Sequence, residues 1–79
     1  MFFVYAISSR VRPYIYVGLT ADVERRLREH NNGENRSTKA YVPFELIFKE
    51  EDETRDKARA REKYFKSGVG KEFLRSLLK

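Results

Sequence analysis

Five side chains in this sequence are of types that do chemistry and fall at spacings that could bring them together: Tyr5, Tyr16, Arg26, His30 and Glu62. Arg26 and His30 are four residues apart, so on a helix they point the same way. Arg26 borders an apolar stripe made by Val23, Leu27 and His30, an uncommon place for a guanidinium, which is rarely buried unpaired. Aimed at a phosphate, it would offer a fixed fork of donors to the charge of a phosphodiester transition state. Paired with a carboxylate, it would be a structural residue. On a helical wheel with Ala58 as origin, Phe65 falls about 20° to one side and Glu62 about 40° to the other, at about 100° per residue. Glu62 therefore shares the stripe turned to the core, where a carboxylate needs a partner. An arginine such as Arg26 would meet that need, and so would a hard divalent cation, which prefers carboxylate oxygen. Tyr14 and Tyr16 alternate onto one strand face, with Tyr5 on a neighbouring strand. Strand tyrosines usually pack with the hydroxyl at the rim. Tyrosine hydroxyls, an arginine and a carboxylate meeting on one sheet face could instead position a water, stabilise phosphoryl charge and hold a metal.

Composition narrows the alternatives. The chain has no cysteine, which excludes a disulfide framework, a thiolate zinc site and a cysteine nucleophile, and a single histidine excludes a multi-histidine metal site. The net charge is +5, and residues 54–79 hold nine basic and three acidic side chains. That asymmetry suits a polyanionic partner and equally suits a solvated helix surface. The opening MFFVYAI is too short for a signal segment or a membrane span. A soluble, cytoplasmic protein without a membrane partner is the expectation. Hydrophobic residues make up 41% and aromatics 14%, which argues against disorder. Seventy-nine residues allow one domain, 1–79, and leave little room for a deep cavity, so a site belongs on an open face. The run Ser67-Gly68-Val69-Gly70-Lys71 imitates a phosphate loop, but no Ser or Thr follows the lysine and no strand precedes the run. Its glycines are read as ending one helix and starting the next.

The elements that must position these residues follow from periodicity. Residues 2–7 and 14–19 read as strands joined by a short polar turn, hence an antiparallel hairpin, and the first strand, apolar on both faces, as central. Thr20 is the expected N-cap of a helix running to about Asn31, where Asn31-Asn32-Gly33 stops it. Residues 34–43 read as a loop or single turn, and 44–48 as a third strand. A second helix is expected from about Thr54 to Gly68, and a last one over 71–79 with Phe73, Leu74, Leu77 and Leu78 inward. The order β-β-α-β-α-α makes an α/β (α+β) fold, a small three-stranded antiparallel sheet flanked by helices.

At these residues the sequence resembles the GIY-YIG nuclease superfamily, in particular small stand-alone bacterial members, and is similar to the N-terminal nicking domain of the bacterial excision-repair nuclease subunit. Val4-Tyr5-Ala6 is matched to the first signature tripeptide and Tyr16-Val17-Gly18 to the second. The stretch YVGLTADVERRLREHNNG resembles the family helix whose arginine matches Arg26, with His30 one turn on. KARAREKYFKSG resembles the helix whose metal-binding glutamate matches Glu62. The resemblance spans nearly the whole chain, and the YVG-to-EHNNG stretch is its specific part.

This resemblance implies a metal-dependent DNA endonuclease or nickase acting in DNA repair or recombination. Glu62 would hold Mg²⁺ or Mn²⁺, Tyr5 and Tyr16 would orient or activate the attacking water, Arg26 would stabilise phosphoryl charge, and His30 would assist. Many nucleases of the family also use an asparagine beyond the glutamate. Here Asn31, Asn32 and Asn35 all precede Glu62. The alternative is therefore a catalytically weak or inactive nucleic-acid-binding module of the same fold. Arg10, Arg12, Arg36, Lys39, Lys66 and Lys71 are the candidate phosphate contacts, which set affinity rather than sequence choice. Selection of a target would then fall to DNA shape or to a targeting protein partner.

Overall fold

Large apolar side chains line both faces of the first strand, a pattern suited to a strand covered on each side. In the computed structural model, which describes residues 1–78, β1 (Phe2–Ser9) is accordingly central. It pairs antiparallel with β2 (Ile15–Thr20) and β3 (Phe44–Asp52) in the order β2-β1-β3. The β1–β2 register sets Tyr5 opposite Gly18 and Ile7 opposite Tyr16. A register shift between Ala6 and Ile7 interrupts the β1–β3 ladder.

The alternation of β1 divides the core in two. Val4 and Ala6, with Ile15 and Val17 of β2, pack against Ala58 and Phe65 of α2 (Arg55–Lys66) and Leu74 of α3 (Gly68–Ser76). On the other face Tyr5, Ile7 and Phe44 pack with Val23 of α1 (Val23–Asn31), and Tyr14, Tyr16, Leu27 and Tyr41 close the rim. The helices are offset. α1 rests mainly on β3 and β1, whereas α2, on the opposite face, rests chiefly on β1 and β2. The β2 side of the α1 face is thus the less covered part of the sheet. No helix among the described residues is long and apolar enough to cross a membrane.

The order of elements is the expected one; several boundaries differ. Thr20 ends β2, and Asp22 caps α1 instead, its carboxylate accepting from the Arg25 amide at 3.0 Å. Thr54 does cap α2, accepting from the Lys57 amide. β3 continues through Glu50, Glu51 and Asp52, because β1 supplies ladder partners as far as Phe2. α2 stops at Lys66, and Gly68, Val69 and Gly70 form the first turn of α3. Ser67 serves both helices: it closes α2, and its hydroxyl accepts from the Gly70 amide. Of the residues expected inward on α3, only Leu74 is buried; Phe73, Leu77 and Leu78 are exposed. Residues 34–43 contain a single 3-10 turn, Lys39–Tyr41, and Gly33 ends α1 with a positive φ of 74°.

Candidate active site

Four of the five candidates converge on the α1 face. Tyr5 Oη lies 2.9 Å from Nε2 of His30, whose Nδ1 lies 2.9 Å from the Thr38 hydroxyl. Thr38 Oγ1 also lies 3.4 Å from the Asn35 carbonyl, which can only accept. If the single Thr38 proton goes to that carbonyl, Nδ1–H donates to Thr38 and Nε2 accepts from Tyr5. Tyr16 completes the cluster, its ring 4.8 Å from that of His30 and 6.2 Å from that of Tyr5.

Burial sets the electrostatics. Tyr5 is 1% and His30 0% exposed, so both favour their neutral forms. Burial, with Tyr16 beside it, pushes the Tyr5 phenol up to about 12, although the Arg26 guanidinium partly opposes the rise. The His30 imidazole is held below its usual range by burial and, next, by the nearby Arg26 charge. Arg26 is the more accessible member, with a side chain 26% exposed, and it donates to Glu29 at 2.7 Å.

Gly18 makes this packing possible. A Cβ at that position would stand 2.6 Å from Cζ and Oη of Tyr5, so the ring occupies the space a side chain would need. The register that pairs Gly18 with Tyr5 thereby puts the glycine of Tyr16-Val17-Gly18 directly beneath the ring.

Glu62 stands apart. It belongs to α2, the layer against the other sheet face, and its partners are Lys66 at 3.2 Å and Arg59 at 4.0 Å, all on one helix. The Arg26–Glu62 pair allowed by the sequence does not form, because Glu29 lies one turn from Arg26 on α1 and takes its guanidinium. The arginine–carboxylate pair that ties α2 to the sheet is Arg61 with Glu50, two bonds of 2.8 and 3.0 Å. No group of three or more His, Asp or Glu among the described residues could form a metal cage. Glu62, with a side chain 13% exposed, offers a single carboxylate that Lys66 already engages, and a hard divalent cation would have to displace that lysine and draw its other ligands from water or substrate.

The candidate phosphate contacts divide as well. Arg12, Arg36 and Lys39 are exposed and take part in no ion pair among the described residues. Arg12 lies 6.0 Å from the Tyr41 ring centre, and Tyr41 stacks on Tyr14 at 4.1 Å. Arg10 is 3.9 Å from Glu45. Lys66 is held by Glu62, and Lys71 donates to the Ile15 carbonyl at 2.7 Å. The six cations therefore do not form one ion-pair-free patch.

Three polar residues that support the cluster escaped the sequence reading. Glu29 was in principle visible, three residues after Arg26. Thr38 sits eight residues beyond His30 in an irregular segment, where no periodicity marks it. Asn31 fastens the end of α1 to β3, accepting from the Phe44 amide at 2.6 Å and donating to the Phe44 carbonyl at 3.1 Å.

A family profile described as the GIY-YIG catalytic domain matches residues 1–74. The chain belongs to the GIY-YIG family. With Tyr5 as the tyrosine that ends the first GIY-YIG tripeptide, the residues at that signature are Phe3-Val4-Tyr5, against the Val4-Tyr5-Ala6 matched to it by resemblance. A UPF0213 protein of Haloquadratum walsbyi is 46% identical over 54 residues, which cover 67% of this chain and 61% of that protein. A UPF0213 protein of Bacillus subtilis is 42% identical over 52 residues, 65% of this chain and 52% of its own length. One from Streptococcus pneumoniae is 34% identical over 65 residues, 81% of this chain and 65% of its own. The chain matches between about half and two thirds of the length of each of these relatives. No solved structure matches the chain.

Proposed function

We propose that this GIY-YIG domain hydrolyses phosphodiester bonds in DNA with the help of a divalent cation, at the open β2 side of the α1 face. The observation that carries this reading is the Tyr5–His30 hydrogen bond, set beside Tyr16 and under the charge of Arg26. Arg26 exchanges Glu29 for a phosphoryl oxygen, giving its fork of donors to the charge that builds there. The Tyr16 hydroxyl orients the water. His30, kept neutral, takes the Tyr5 proton as Tyr5 takes one from the water. Tyr5 is covered in the free protein, and catalytic geometries of this kind often tighten only with substrate bound. Glu62, on the α2 layer that rests against β1 and the edge strand β2, would hold Mg²⁺ or Mn²⁺ once Lys66 releases its carboxylate, and the cation would supply Lewis acidity and lower the pKa of a bound water.

We extend this reading, on the family resemblance, to a role in DNA repair or recombination with a targeting protein partner. The Glu62–Lys66 pair favours a second reading, a binding module of the same fold that does no chemistry. The test is cleavage of supercoiled, flapped and branched DNA with Mg²⁺ and with Mn²⁺, the folded Glu62→Gln variant in parallel. Metal-dependent cutting that disappears in the variant supports the nuclease. Salt-sensitive binding without cutting by either protein supports the binding module.

A further inference from the structure

Away from the Tyr5–His30 cluster, the β1–β2 turn and α3 enclose an open cleft of about 440 Å³, lined by Pro13, Tyr14, Ile15, Lys71, Arg75 and Leu78 among others. That volume is within the range of small-molecule sites. One wall is apolar and aromatic. The other carries two cations one helical turn apart on α3, Lys71 and Arg75, and neither takes part in an ion pair among the described residues. Like charges at this spacing repel, and a half-buried ammonium without a counter-charge is costly. Lys71 is held below its usual range by burial and then by Arg75 and Lys66. One of its three protons goes to the Ile15 carbonyl at 2.7 Å, leaving two donors. The first-turn amides of α3 are not the attraction here, since Gly70 and Lys71 already donate to Ser67.

A cleft that sets two cations without an ion-pair partner among the described residues opposite an apolar aromatic wall suits an amphipathic anion. We propose that it binds a nucleoside monophosphate group, with the phosphate between Lys71 and Arg75 and the base against Tyr14, Ile15 and Leu78. The group is either a free nucleotide or the phosphorylated end of a DNA strand. The choice of a nucleotide rests on the nuclease reading, because phosphodiester hydrolysis leaves phosphomonoester ends; the anion site itself does not depend on it.

The test is calorimetric titration with deoxyadenosine 5′-monophosphate and with inorganic phosphate, in EDTA so that no metal-dependent cutting contributes. Saturable nucleotide binding is expected, weakened about tenfold or more in Arg75→Ala and Lys71→Met and unchanged in Glu62→Gln. Lys71 also ties α3 to β2, so Lys71→Met can fail to fold; exposed Arg75 keeps the test decisive. Oligonucleotides with a 5′-phosphate or a 5′-hydroxyl separate the two sources: a preference for the phosphate that Arg75→Ala removes points to a strand end, and its absence alongside nucleotide binding points to the free nucleotide. No saturable binding of nucleotide, or equal binding by Arg75→Ala, overturns the proposal. Nucleotide binding without any DNA cutting would leave the cleft standing and the nuclease reading refuted.

Discussion

Tyr5 and His30, 25 residues apart in sequence, share a hydrogen bond of 2.9 Å in which both partners are buried and both are held neutral. The pair makes stability depend on pH at both ends. His30 in the folded protein resists protonation, so its contribution is complete above the unfolded value of about 6.5 and is lost as pH falls toward the lower folded one. Tyr5 works in the opposite direction. Its contribution is complete below about pH 10 and is lost as pH rises toward the folded value of about 12, on the order of 2 kcal/mol. Urea denaturation across pH 5–12 should show both limbs, with the acid limb flattened in His30→Gln. Identical acid limbs in the two proteins would remove His30 from this account.

Gly18→Ala should displace the Tyr5 ring, since the added Cβ would stand 2.6 Å from its Oη. Overpacking of this kind costs about 1–3 kcal/mol. DNA cutting should fall with it even at temperatures where the variant is fully folded. Thermal denaturation and nicking rates measured on one preparation check both effects.

Thr38→Val keeps the shape of the side chain and removes the oxygen that partners Nδ1 of His30. A loss of about 1–3 kcal/mol is expected for the unpaired buried nitrogen. Nitrogen NMR of the imidazole should show a changed tautomer balance. An unaltered His30 spectrum would mean that Thr38 does not set its orientation.

Glu29→Gln should release Arg26 from its ion pair and tighten DNA binding by about threefold at low salt, the gain shrinking as salt rises. Fluorescence anisotropy with a labelled duplex measures it. Weaker binding would mean that Glu29 holds Arg26 in its working position instead of restraining it.

What the sequence made legible follows from which physical signals are periodic. The double-faced apolar run of β1 marked the central strand, and Ala58 and Phe65 marked the buried side of α2. Arg26 and His30, four residues apart, both lie close to Tyr5 of the central strand. β3 was read too short because Glu50, Glu51 and Asp52 carry no strand pattern of their own; pairing with β1 extends them. α3 was read too short at its start because two glycines look like a break, whereas Ser67 caps a helix through them. Leu77 and Leu78 have helical spacing yet stay exposed, since only Leu74 of that face is covered by the sheet. The layer that Glu62 occupies depends on how α2 crosses the sheet, a tertiary fact with no local signal. Thr38 reaches His30 from an irregular segment and was invisible for the same reason.

The most direct measurement is nicking of supercoiled plasmid by the wild-type protein and by Arg26→Ala, with Mg²⁺, with Mn²⁺ and in EDTA, with DNA binding followed alongside. Nicked circles should form only with metal, and the rate should drop about 10²–10³-fold in Arg26→Ala while binding largely persists. No nicking under any metal condition, or equal nicking by both proteins, would contradict phosphodiester hydrolysis at this face.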